Sequence, residues 1–485
     1  MKVLRSLFNY AVPILLLVAI LLSGCAAPSI PPTFTPTDVA VVPTPSQPPA
    51  TQPPAVTPET ACSAIVSLRM DDWSNTEEAQ AARDEVLAAF HAAYPCIEVE
   101  AVYTDSVDPK RIEQIRSGTA SDLIAADSSY IPAYTEAGGL ADLTPFLQGD
   151  PNFKPEEIYF QGVWKAGFYQ GAPRAINKDF STCAVYVNVG LFKKAGLSLP
   201  KEGWTYDDYL RLAQQLTLDG QGLNAADPGF DSSNIVQYGT TVPYWGANAT
   251  TGWFRGFQNI LYSLDAHALS PDGTQVTGYL NGPNSLAAWT FARDLVHKYH
   301  VAPDTVAINA RTDGNLEMFK AGQLGMVGNF WGPWFQETLD ATSGLEWTVV
   351  PLPSGPAGHR GVIMWMGWGI NAKTEHPQEA WELLKWLTTE PGQRPFARRA
   401  LTQYKPLAVE LQRINDPFWG VFLAETEYVD RLDDAAHPRF FPCVADGPTA
   451  DLMYEIWQPG GEQIDLQARL DELAAEADQC LAATP

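Results

Sequence analysis

Ala64-Ile-Val-Ser-Leu-Arg-Met-Asp-Asp-Trp73 opens the stretch that decides the fold, and Ile97-Glu-Val-Glu-Ala-Val-Tyr103 closes it. Between them, Ser74-Asn-Thr-Glu77 has the spacing of a helix-capping box. Val86, Leu87, Phe90 and Tyr94 then recur along one helical face, and Pro95 stops the helix. A short helix is expected over 109–116. Asp122-Leu-Ile-Ala-Ala126 reads as a buried strand. Strands alternating with helices predict an α/β fold built on an open parallel sheet. Ligands of such sheets sit beyond the C-terminal strand ends. Those ends are Asp71-Asp-Trp73 and Asp127-Ser-Ser-Tyr130.

The same two runs say something about the cysteines. Cys62 stands at the start of the first run and Cys96 at the start of the second. If the runs are neighbouring parallel strands, both thiols lie at one end of the pair, within bridging reach. A Cys62–Cys96 disulfide is therefore expected. Cys443–Cys480 is a further candidate pair, which leaves Cys183 as a buried thiol. No CxxC or Cys/His cluster suggests zinc, and no metal or cofactor is expected.

Further along, helices are expected over 206–216, with Tyr209, Leu212, Ala213 and Leu216 inward, and over 285–299, 315–320, 377–387 and 464–481. The segment 220–256 is rich in Gly, Asn, Asp and Ser and reads as loop. Asp219-Gly-Gln-Gly222 with Asp227 and Asp231 invites a calcium reading, but the spacing of an EF-hand is absent. A solvated loop is the simpler account. From 62 to 481 the chain is too long for one core, so two lobes are expected.

The beginning of the chain reads as export machinery. Lys2 and Arg5 precede an apolar run, 12–22, too short to span a bilayer and suited to a signal peptide. Leu22-Ser-Gly-Cys25 resembles a bacterial lipoprotein box, in which the cysteine is lipidated; an ordinary signal peptide is the alternative. Residues 26–61 include 11 Pro and seven Thr among 36. Such a stretch cannot bury enough apolar surface to offset its ordering entropy, and reads as an extended tether. The expected organisation is a signal peptide over 1–24, lipidated Cys25 with the tether to 61, and then the globule at the outer face of the cell membrane. The net charge of −25 argues against nucleic acid as a partner.

Four segments of the globule resemble the family 1 extracellular solute-binding proteins, the group like maltose-binding protein. They are Ser121-Asp-Leu-Ile124 with Ala137-Gly-Gly-Leu-Ala-Asp-Leu143; Ala184-Val-Tyr-Val-Asn188 with Leu191-Phe-Lys-Lys-Ala-Gly-Leu197 and Gly203-Trp204; Phe319-Lys-Ala-Gly-Gln-Leu-Gly-Met-Val327 with Gly332-Pro-Trp334; and Met366-Gly-Trp-Gly-Ile370 with Glu379-Ala-Trp-Glu-Leu-Leu-Lys-Trp-Leu387. They occur in the family's order. Val189-Gly190 departs from the usual Lys-Asp. The resemblance implies a two-lobed periplasmic-binding-protein-like fold of type II, with ligand enclosed between discontinuous lobes joined by hinge strands. By analogy the hinges fall near 171–183, 324–328 and 351–361. The lobes are then 62–176 with 325–355, and 177–324 with 356–481. The resemblance further implies delivery of a captured solute to an ABC import permease, by a monomer that does no catalysis.

The 15 Trp and 18 Tyr fit a carbohydrate ligand. Flat rings cover the apolar faces of a pyranose, while carboxylates, amides and Arg satisfy its hydroxyl rim. Candidate contacts are Asp72, Trp73, Asp127, Tyr130, Tyr244, Trp245, Trp331, Trp334, Trp365 and Trp368. Trp334 leads, because the family's Gly-Pro-Trp tryptophan lies under a sugar ring. Trp365 has an alternative place in a buried strand. Arg399 is a lesser candidate for the rim, and Trp204, Trp381 and Trp386 read as packing. No Walker A loop, HExxH or GxSxG occurs, which speaks against an enzyme. A peptide, polyamine or phosphodiester ligand stays open, as does a sensor or adhesion role without import.

Overall fold

The structure, a computed structural model, describes residues 62, 64–74, 76–104, 109–242, 252–310, 314–328, 332–429 and 431–483. Cys25, Tyr244, Trp245 and Trp331 lie outside them, as do the expected signal peptide and tether.

The opening unit forms as β1 (Val66–Asp72), α1 (Glu77–Ala93) and β2 (Ile97–Tyr103), followed by α2 (Pro109–Ser117) and β3 (Leu123–Asp127). The cap of α1 is Thr76, whose Oγ1 accepts from the Ala79 N–H at 3.1 Å. Ser74, expected in that role, donates its hydroxyl to Asp72 at 2.9 Å instead. β1 pairs in parallel with β2 from Val66 opposite Ile97 to Asp72 opposite Tyr103, and with β3 on its other edge. Cys62 and Cys96 are joined by a disulfide, and so are Cys443 and Cys480. Cys183, buried, lies outside both bridges.

Two distant strands complete this sheet. β4 (Ile176–Thr182) and, much later in sequence, β8 (Ile363–Ile370) give the order β2-β1-β3-β8-β4, with β8 antiparallel to both neighbours. A second sheet of three antiparallel strands has β5 (Val185–Asn188) at its centre, between β6 (Met326–Val327) and β7 (Trp347–Val350). This membership differs from the lobe boundaries expected from sequence. The strands at 326–327 and 347–350 pair with 185–188 rather than joining β1. The strands 176–182 and 363–370 join β1 rather than the later lobe. Apolar runs show that a strand exists but not which edge it completes.

The chain thus passes between the sheets at two places: directly from β4 to β5 through Cys183 and Ala184, and from β7 to β8 through 351–362. Three cores follow. On one face of the larger sheet Phe90 of α1 and Trp368 pack with Trp381 and Leu384 of α5 (Pro377–Thr388). The other face, with Ile124 and Trp365, is continuous with Tyr186, Val327 and Val349 of the smaller sheet. The third core holds Trp289, Trp457 and Leu470 among helices that include α7 (Leu466–Ala482). Between α5 and α7 lies α6 (Glu390–Phe396). The helix Tyr206–Leu216 buries Tyr209, Leu212, Ala213 and Leu216, and Thr205 with Asp208 closes a reciprocal capping box at its start.

Candidate ligand-binding site

A cavity of about 480 Å³ opens where the C-terminal end of β1, the first turns of α1, β4 and the residues after α6 meet the segment bearing Trp334. Its size is within the range of small-molecule sites, roughly 300–1,000 Å³. Trp73 forms one wall, tilted against Trp368 with ring centres 4.9 Å apart. Trp334, 50% exposed, forms another. The Trp334 segment is seated by close approach: a Cβ at Gly332 would lie 1.8 Å from the Ser181 hydroxyl of β4. The Gly332 carbonyl also accepts from the Tyr186 hydroxyl at 2.5 Å.

β4 supplies the polar floor. Its register against β8 slips by one residue: Met366 faces Asp179 and Gly367 faces Asn177, so Lys178 is the extra residue of a bulge. Bulges re-aim side chains, and here Lys178 and Asp179, adjacent in sequence, both line the cavity. The Lys178 ammonium lies 4.3 Å from the ring centres of Trp73 and Phe396 and 5.5 Å from that of Trp368, within cation–π range. Burial pulls its pKa below the ordinary lysine value, with Asp179 and Asp72 opposing. Burial pushes the Asp179 carboxyl up, with Lys178 opposing. Neither residue was singled out from sequence. The available signal was two adjacent charges, Lys178-Asp179, and it was a weak one, because the strand carries Asn177, Ser181 and Thr182 as well.

Other predicted contacts serve the scaffold. Asp72 is buried and engaged by Arg83 at 2.8 Å and by Ser74. Its neighbour Asp71 binds Arg111, the Ser121 hydroxyl at 2.7 Å and the Ala125 N–H at 3.1 Å. Trp365 and Trp368 are each 1% exposed, and their indole N–H groups donate to the carbonyls of Val163 at 2.9 Å and Asp71 at 2.6 Å. Both are interior because β8 is a central strand, covered on both faces. Asp127 accepts from the backbone and hydroxyl of Ser129. Tyr130 stacks on Phe441 at 5.9 Å, and neither it nor Asp127 lines the cavity. Trp204 donates to the Pro351 carbonyl. Arg399 does line the cavity; it pairs with Glu78 of α1 and, at 3.2 Å, with Glu337. Asp219 spends its oxygens on the N–H groups of Gln221, Leu223 and Asp231. Among the described residues no group of three acidic, His or Cys side chains could hold a metal.

The architecture defines a class: two α/β lobes linked by strands that cross from sheet to sheet, as in periplasmic solute-binding proteins. Residues 73–394 match the family described as bacterial extracellular solute-binding protein, and the chain belongs to that family. A binding protein of Brucella abortus is 25% identical over 422 residues, covering 82% of this chain and 89% of its own. The sugar-binding protein MalE of Xanthomonas citri superposes with a TM-score of 0.70 at 18% identity, covering 86% of this chain and 98% of that one. An ABC substrate-binding protein of Listeria monocytogenes in complex with cycloalternan gives 0.66 at 18%, covering 87% and 100%. UgpB of Mycobacterium tuberculosis in complex with glycerophosphocholine gives 0.64 at 16%, covering 86% and 98%. No helix among the described residues is long and apolar enough to cross a membrane.

Proposed function

We propose that this protein captures a sugar or oligosaccharide in the cavity between Trp73 and Trp334 and delivers it, chemically unchanged, to an ABC import permease. In this reading it acts as a monomer, held at the outer face of the cell membrane by lipidated Cys25. The observation that carries the reading is the meeting of two indoles, far apart in sequence, around one cavity floored by a charged pair. Indole faces suit the C–H faces of a pyranose, and the charges suit its hydroxyls. The sugar-binding protein from Xanthomonas citri and the cycloalternan complex are in keeping with it.

A second reading, a choline phosphodiester, is favoured by the rings of Trp73, Phe396 and Trp368, which already hold an ammonium group. Aromatic cages of this kind recognise quaternary ammonium ligands. Thermal-shift measurements with mono- and oligosaccharides and with glycerophosphocholine test both readings. A ligand that binds only the folded state raises the melting temperature by mass action. We expect saturable shifts from one or more sugars. A shift from glycerophosphocholine alone would replace the first reading with the second.

A further inference from the structure

What the solute must offer can be read from β4, granted that the cavity is the solute site. Lys178 is 6% exposed, yet among the described residues its ammonium donates no hydrogen bond; its surroundings are rings, the carboxylates of Asp179 and Asp72, and the Arg83 guanidinium that Asp72 holds. The Asp179 carboxyl likewise accepts none. Both groups line the cavity, so a bound guest can supply the partner that the protein does not, as buried polar groups ordinarily require. The other charges on the lining are engaged with one another: Arg398 with Glu85 at 3.3 Å, and Arg399 with Glu78. With Lys178 and Asp179 included, three cations face three carboxylates. The wall therefore has no net charge, and one donor and one acceptor on it await a partner.

We propose that Lys178 and Asp179 are the specificity-determining pair of the site, and that they select a net-neutral guest with adjacent hydroxyls. Lys178 donates to one hydroxyl oxygen while Asp179 accepts the proton of the next. A hydroxyl both donates and accepts, so neighbouring hydroxyls answer both groups at once. An anionic guest satisfies Lys178 and sets its charge against Asp179. A cationic guest reaches the rings only by displacing Lys178. The bulge is what makes the pair possible, because in a regular strand these two side chains point to opposite faces.

Calorimetry on the purified protein tests this with maltose and maltotetraose as neutral probes, D-glucose against D-glucuronate as a matched pair differing in charge, and choline and glycerophosphocholine. We expect the neutral probes to bind. Lys178→Met, which keeps an unbranched chain among the rings, and Asp179→Asn should each lose at least tenfold in affinity for them. Asp179→Asn should also shift the ratio of glucuronate to glucose binding towards glucuronate. Tighter binding of glucuronate than glucose, or of choline than any sugar, overturns the proposal. So do two folded variants that bind maltose like the parent. If maltose binds and Trp334→Ala weakens it while neither variant on β4 does, the solute site stands and the pair falls. If no probe binds, both fall.

Discussion

Trp368→Ala removes an indole that is 1% exposed and hydrogen-bonded to the Asp71 carbonyl. Emptying such a place costs about 3–5 kcal/mol, to be read as a lowered denaturant midpoint. Trp334→Ala removes the same side chain from a half-exposed position on the cavity wall. It should leave the midpoint nearly unchanged and weaken sugar binding at least tenfold, since stacking adds on the order of 1 kcal/mol to the area covered. The reverse outcome, a stable Trp368→Ala protein that no longer binds, would exchange the two assignments. Composition alone did not separate these tryptophans. Gly332 and Pro333 open the single helical turn Pro333–Phe335 that holds Trp334 half-exposed. Trp368 also sits between glycines, but Gly367 is there for the sheet: its Cβ would meet the Ile176 carbonyl at 2.1 Å. Lys178 and Asp179 showed in the sequence only as two adjacent charges; that both face the cavity was not legible, because a bulge is a property of how two strands pair.

The link from β7 to β8 is an element with its own chemistry. Glu425, buried, accepts from the Leu352 N–H at 3.0 Å with one oxygen and meets His359 at 2.8 Å with the other. The two ends of the link are thereby tied to one carboxyl, while Gly361 donates to the Tyr428 carbonyl and the His359 ring lies over that of Tyr428, 4.1 Å between centres. Burial raises the pKa of Glu425 above the ordinary glutamate value, and His359 and the Leu352 N–H oppose the rise. Between the ordinary value and the raised one, the folded chain keeps a proton that the unfolded chain has released. Stability contributed by this group is therefore lost as pH rises through that interval and is flat above it. Glu425→Gln keeps the shape and an acceptor for Leu352. Its melting temperature should decline less than the parent's over the same interval, and parallel curves would show that Glu425 does not titrate there. Helices such as Tyr206–Leu216 were legible from periodicity because their packing is local. The pairing of β6 and β7 with β5, and this clamp, depend on residues far apart in sequence.

At the scale of the molecule, two bridges constrain the unfolded chain. Cys62–Cys96 and Cys443–Cys480 span 34 and 37 positions. Loops of that length predict about 3–4 kcal/mol of stabilisation each. The Cys62→Ser/Cys96→Ser double variant should lose that much in chemical denaturation, with the sugar affinity of the folded protein unchanged. An equal loss in the parent after reduction would mean that the second bridge contributes nothing. The α/β class and the two lobes were legible because alternating strands and helices, and a length beyond one core, are global properties. The division of strands between the sheets was not, since it is decided by partners rather than by pattern.

The join through Cys183 and Ala184 has a mechanical corollary. Two residues reach about 7 Å at full stretch, so β4 and β5 have no slack between them. The other link is far longer. A swing of one sheet relative to the other would bend at the short join and draw on play in the long one. Points close to a fulcrum travel least. Lys178 and Asp179, a few residues upstream of it, would keep their places while the rim of the molecule sweeps through its arc.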